Sequence, residues 1–119
     1  MFRAFLFMIE DMKPVFSFQA GEGPLLVSVP HSGTFVPEAI RNCFTSKAQQ
    51  LQDTDWYVDR LYDWVNDFGA GMLVANYSRF VIDLNRSPDN AALYSGHGTG
   101  LLPTQCFDGS PVYQAGLQP

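Results

Sequence analysis

An α/β layered fold is what this 119-residue sequence predicts, and three observations carry the prediction. Short apolar runs occur at residues 25–29, 72–75 and 80–84. Between the first and second, Leu51, Val58, Leu61, Tyr62 and Val65 recur at helical spacing and form an inner face. Glycine and proline punctuate the boundaries between these segments. Strand, helix and strand in succession favour sheet and helix packed in layers.

The elements follow in order. Residues 15–18 alternate apolar and polar and read as a short strand. Gly21, Gly23 and Pro24 make a turn. Residues 25–29, Leu-Leu-Val-Ser-Val, read as a strand covered on both faces. Pro30 ends its ladder, because proline lacks an amide hydrogen. His31-Ser32-Gly33 is then loop. Pro37 opens a short helix reaching about Cys43. Thr45 or Ser46 caps a longer helix over residues 47–68, stopped by Gly69. Strands follow at 72–75 and 80–84. Residues 91–119 show no period and read as loops without a core of their own.

Composition excludes several classes. The net charge of −5 argues against nucleic acid and against an anionic membrane as partners. A small anion needs only one or two local cations and stays compatible. Cys43 and Cys106 are far apart with no metal-like spacing, which suits reduced thiols and a cytoplasmic setting. The apolar piece at residues 4–9 is too short to span a bilayer and is followed by Glu10-Asp11 rather than a small-residue cleavage site. Residues 1–13 read as a loose arm or a mis-assigned start, with Met12 as an alternative first residue.

Three places carry polar chemistry. His31 lies just past a strand's carboxyl end, where ligands gather in open α/β sheets. A neutral imidazole there is a metal ligand, a proton carrier, or a loop residue satisfied by a backbone carbonyl. Asp53 and Asp55 are two apart, so on a helix they point away from each other, whereas Asp55, Asp59 and Asp63 share a face. That stripe is equally a solvated helix face. Trp56 and Trp64 are expected to cover the sheet. In Asp83-Leu84-Asn85-Arg86, an aspartate inside an apolar run costs several kcal/mol unless paired, and Arg79 and Arg86 are the available partners. Arg86, with Asn85 beside it, is a candidate anion clamp. His97 lies among glycines and reads as a loop residue.

Taken together, three segments resemble the N-formylglutamate amidohydrolase family. They are Leu-Val-Ser-Val-Pro-His-Ser-Gly (26–33), Asp-Thr-Asp-Trp-Tyr-Val-Asp-Arg-Leu-Tyr (53–62) and Ser-Arg-Phe-Val-Ile-Asp-Leu-Asn-Arg-Ser-Pro (78–88). Asp89-Asn90, Leu93-Tyr94 and Gly100-Leu101-Leu102-Pro103 continue the likeness, which runs from about Pro14 to Pro119. The resemblance implies a three-layer α/β/α sandwich of the phosphorylase/hydrolase-like, zinc carboxypeptidase-like type. It implies hydrolysis of N-formyl-L-glutamate to formate and L-glutamate, late in histidine breakdown, with a divalent metal, zinc. His31 would be a metal ligand, and Asp53 or Asp55 a second ligand or an orienting group. Asn85 and Arg86 would hold a carboxylate of the small anionic substrate. Arg79 would be a further carboxylate contact or a structural partner of Asp83. Where the related aspartoacylase pattern has a glutamate three residues after its histidine, this chain has Thr34. Family members are longer, and their second half carries an Asp-Ala-His-Ser-type segment and a late glutamate resembling the remaining ligand and general base. The resemblance therefore puts the general base beyond Pro119. Residues 14–119 would be the N-terminal part of one such domain. The alternatives are a metal hydrolase acting on another N-acyl amino acid and a non-catalytic binding domain.

Overall fold

The structure, a computed structural model, describes residues 12–91 and 100–119. Residues 1–11 of the arm expected over 1–13, the Leu93-Tyr94 likeness and His97 lie outside the described residues. Three strands form one mixed sheet: β1 (Phe16–Gln19), β2 (Leu26–Val29) and β3 (Gly71–Ala75). The order is β1-β3-β2, with β1 antiparallel and β2 parallel to the central β3. The expected strands at 15–18, 25–29 and 72–75 thus appear, each within a residue at its ends. A parallel pair needs a crossover, and residues 30–70 supply it.

Register decides what each face buries. Val27 and Val29 pair with Met72 and Val74 and turn to the side where Val58, Val65 and Ala70 pack. Phe16 and Phe18 pair with Ala75 and Leu73, so they share the other face with Leu26. There Phe16, Phe18 and Leu26 are exposed. The expectation that residues 25–29 are covered on both faces therefore fails among the described residues. Only the valine side of β2 is packed.

The long helix expected over 47–68 is broken into pieces. A 3₁₀ turn (Ala48–Gln50) is followed by α2 (Val58–Leu61) and a second 3₁₀ stretch (Asp63–Phe68). The short helix after Pro37 is α1 (Glu38–Arg41). Leu51 (φ 52°) and Tyr57 (φ 62°) both sit in the left-handed region and interrupt the helix. A tertiary tie competes with helical bonding between them: the Asp55 amide donates to the His31 carbonyl at 3.0 Å. Gly69 (φ 77°) ends the last turn, as its lack of a Cβ allows. Leu51 and Val65 are buried as the helical spacing predicts, but Leu61, Trp56 and Trp64 are exposed, so the tryptophans do not cover the sheet.

Residues 80–84 are not a strand. Ser78 closes a turn there: its carbonyl accepts from Val81 and Ile82, and its hydroxyl accepts from the Phe80 amide. The Arg79–Asp83 ion pair gives the reason. In a strand, residues four apart are ~13 Å apart, too far for the observed 3.1 Å contact. The apolar residues serve a second core instead, with Phe80 edge-on to Phe44 and packed with Val36, Ala48 and Leu51. Cys106, Val112 and Tyr113 join the same cluster. The last segment therefore shares a core rather than lying over the surface as loops. It holds on through single residues, such as the Thr45 amide donating to the Val112 carbonyl. Both cysteines are free thiols, and burial raises the pKa of Cys106.

Candidate functional site

His31 follows Pro30 at the end of β2. Its loop is held against the end of β3 by close backbone approach at Gly33. A Cβ there would collide with the Tyr77 carbonyl oxygen and stand 2.7 Å from that of Ala75. The Phe35 amide donating to the Asn76 carbonyl fixes the loop's far end. The imidazole is thereby nearly buried, with its two nitrogens facing two carboxylates.

On one side, Nε2 lies 2.6 Å from Asp83 Oδ1. Asp83 is fully buried. Its Oδ1 also accepts from the Asn85 amide at 2.9 Å, and its Oδ2 accepts from Arg79 Nη2 at 3.1 Å. Burial pushes the Asp83 pKa up. The hydrogen bonds from His31 and Asn85, with the charges of His31 and Arg79, outweigh it and hold the carboxyl at about 2. Asp83 is therefore ionised at neutral pH and can only accept, so the ring donates to it through Nε2.

On the other side, Nδ1 lies 3.6 Å from Asp55 Oδ2. The Asp55 side chain is half exposed. In the neutral ring Nδ1 carries a lone pair, so two acceptors face each other across this gap. Such a pair repels unless a cation or a second ring proton lies between them.

The other residues singled out from sequence fall around this axis. Asp53 is buried and committed elsewhere, its Oδ2 accepting from the Phe107 amide at 2.7 Å. Arg79 is buried, with its guanidinium shared among Asp83, the Asp53 carbonyl and the Phe107 ring at 4.5 Å. It serves as the partner of Asp83. Asn85 is exposed, next to the amide that anchors Asp83. Arg86 is half-buried and donates from Nη1 to the Asn85 carbonyl at 3.0 Å. Asp59 lies in α2, four residues after Asp55, but Asp63 belongs to the following 3₁₀ stretch. Pro119, beyond which the general base is expected, is exposed. It borders a small apolar cleft with Ile40, Cys43, Val81 and Leu117, and that cleft includes none of the residues singled out for chemistry.

Sequence reasoning paired Asp83 with arginine and missed its bond to His31. The signal was present: a carboxylate in an apolar run needs more than one donor to satisfy both oxygens. Among the described residues, no group of three or more His, Cys, Asp or Glu side chains is arranged to hold a metal ion. Among them too, no helix is long and apolar enough to cross a membrane.

Comparison with known proteins bears on this arrangement. The sequence model of the N-formylglutamate amidohydrolase family matches residues 23–119. Over 108 residues the chain is 47% identical to proteins named N-formylglutamate deformylase from Pseudomonas putida and Pseudomonas aeruginosa. These alignments cover 91% of this chain and 40% and 41% of those proteins. The crystal structure of N-formylglutamate amidohydrolase from Ralstonia eutropha JMP134 superposes with a TM-score of 0.65 at 26% identity, over 82% of this chain and 41% of that one. The chain thus spans about 40% of the length of the curated relatives it matches.

Proposed function

Because the chain belongs to the N-formylglutamate amidohydrolase family, we propose that it forms part of a metal-dependent hydrolase. The reaction consumes N-formyl-L-glutamate and water and yields formate and L-glutamate. We assign the enzyme to the cytoplasm and to histidine breakdown. The whole domain is read as a three-layer α/β/α sandwich. The exposed apolar face of Phe16, Phe18 and Leu26 supports this, since a second helical layer would cover it.

One observation carries the site assignment: His31 is locked by Asp83 through Nε2 while Nδ1 faces the Asp55 carboxylate at 3.6 Å. The donor set fits a divalent metal. A carboxylate on the far nitrogen is the arrangement that fixes the tautomer of a ligating histidine, and one imidazole with one carboxylate suits zinc. His31 Nδ1 and Asp55 would hold the ion, with the remaining ligand and the general base supplied from outside the described residues. Asp53, already taken by the Phe107 amide, has the weaker claim. When bound, the metal lowers the pKa of a water and polarises the formyl carbonyl.

The chain's own residues bind and orient. Arg79 and the Asn85 amide hold Asp83 ionised, and Asp83 holds the proton on Nε2. Asn85 and Arg86 take a substrate carboxylate, which a guanidinium grips through two parallel hydrogen bonds. A local cation matters here, because the chain's net charge of −5 repels a dianionic substrate. The assay is formate release from N-formyl-L-glutamate with zinc, then after chelation, then with zinc restored. Metal-reversible release is expected. Release that ignores both the chelator and His31→Ala contradicts the proposal.

A further inference from the structure

A second cleft of ≈550 Å³ opens at the carboxyl ends of β2 and β3, beside the His31 loop, and the reading above leaves it unused. Three charged side chains line it: Lys13, Arg41 and Asp59. The ion pairs among the described residues involve none of the three. Lys13 instead stands 5.2 Å over the Phe35 ring. Arg41 and Asp59 are each half-buried. The Ser32 hydroxyl also lines the cleft, and its oxygen is buried without a hydrogen-bond partner.

These groups specify a ligand by charge. Lys13 is exposed, but the partly desolvated Arg41 and Asp59 and an orphaned buried hydroxyl are costly when unmatched. The cleft offers two cations, one anion and a hydroxyl. Its complement carries two anionic groups and one cationic group on an amino-acid-sized frame. A free acidic α-amino acid has that pattern at neutral pH: two carboxylates and one ammonium. We propose that this cleft binds free L-glutamate, with its carboxylates on Lys13 and Arg41 and its ammonium on Asp59. N-Acylation removes the ammonium and would leave Asp59 facing a neutral amide. The site therefore discriminates against the N-formyl compound. Binding itself does not depend on the activity proposed above; only the description of the ligand as that reaction's product does.

The test is calorimetric titration of the 119-residue chain in chelator, so that no metal contributes. L-Glutamate should bind saturably at one site. L-Glutamine, lacking one carboxylate, and glutarate, lacking the ammonium, should each bind about tenfold more weakly, as should N-formyl-L-glutamate. Asp59→Asn should erase the preference for glutamate over glutarate, Arg41→Ala should weaken glutamate at least tenfold, and His31→Ala should leave binding unchanged. No saturable binding of L-glutamate by the unaltered chain overturns the proposal, as does equal affinity for all four compounds. Formate release is unaffected by that failure, and glutamate binding is unaffected by failure of the hydrolase reading, so the two outcomes separate.

Discussion

Replacing Asp83 with asparagine keeps the shape of the side chain and removes its charge. The oxygen can still accept from His31 Nε2 and the Asn85 amide, which lie 2.6 and 2.9 Å from Oδ1. The new amide nitrogen then faces Arg79 Nη2, 3.1 Å from the present Oδ2, donor against donor. Arg79 is itself buried, so its charge loses the carboxylate that balances it. Breaking a buried pair from one side costs about 3–5 kcal/mol. With a urea slope of about 1.5 kcal/mol/M, the midpoint falls by roughly 2–3 M. Arg79→Met alone should cost a similar amount, and the double variant distinctly less than the sum of the two. Urea unfolding followed by far-UV circular dichroism measures all three. An Asp83→Asn midpoint within about 0.3 M of the parent, or strict additivity of the pair, would show that the buried Arg79–Asp83 pair does not stabilise the fold in this way.

Further expectations concern the same loop and its neighbours. The Asp83 carboxyl is held at about 2 in the folded chain against an ordinary 3.8. Its stabilisation is therefore fully present above pH ~4 and is lost as pH falls towards ~2, an effect of ~2 kcal/mol that urea midpoints across this range should track and that Asp83→Asn should lack. Gly33→Ala should destabilise by about 1–3 kcal/mol, because its methyl would meet the backbone of Ala75, Asn76 and Tyr77 rather than a movable side chain; an unchanged thermal midpoint would remove close approach as the reason for glycine. Tyr57 holds a left-handed backbone while mostly exposed, so Tyr57→Gly should stabilise by ~0.5–1 kcal/mol in the same urea assay.

Much of the site was legible because its chemistry is local. A histidine after a strand-ending proline, and an aspartate with arginines inside an apolar run, announce themselves from residue type alone. What stayed hidden depends on tertiary partners. Helical spacing of Leu51, Val58 and Val65 is genuine, and two of these are buried. Yet it could not reveal that the Asp55 amide is claimed by His31 and that the backbone reverses at Leu51 and Tyr57. The run at 80–84 looked like a strand because burial by a turn and burial by a sheet use the same residues. The last segment lacked a period because Cys106, Val112 and Tyr113 enter the core singly. The His31–Asp83 bond joins residues 52 apart, so the pattern around Asp83 asks for a further donor without saying which one.

His31 and Asp55 as metal ligands are tested by zinc titration of the whole enzyme domain, which supplies the remaining ligand, and of three variants of it. The unaltered domain should bind one zinc ion, His31→Ala and Asp55→Ala should each weaken it at least tenfold, and Asp83→Asn should weaken it by about 10–100-fold through loss of the negative charge behind the ring. Zinc affinity unchanged in His31→Ala and Asp55→Ala would exclude both side chains as ligands.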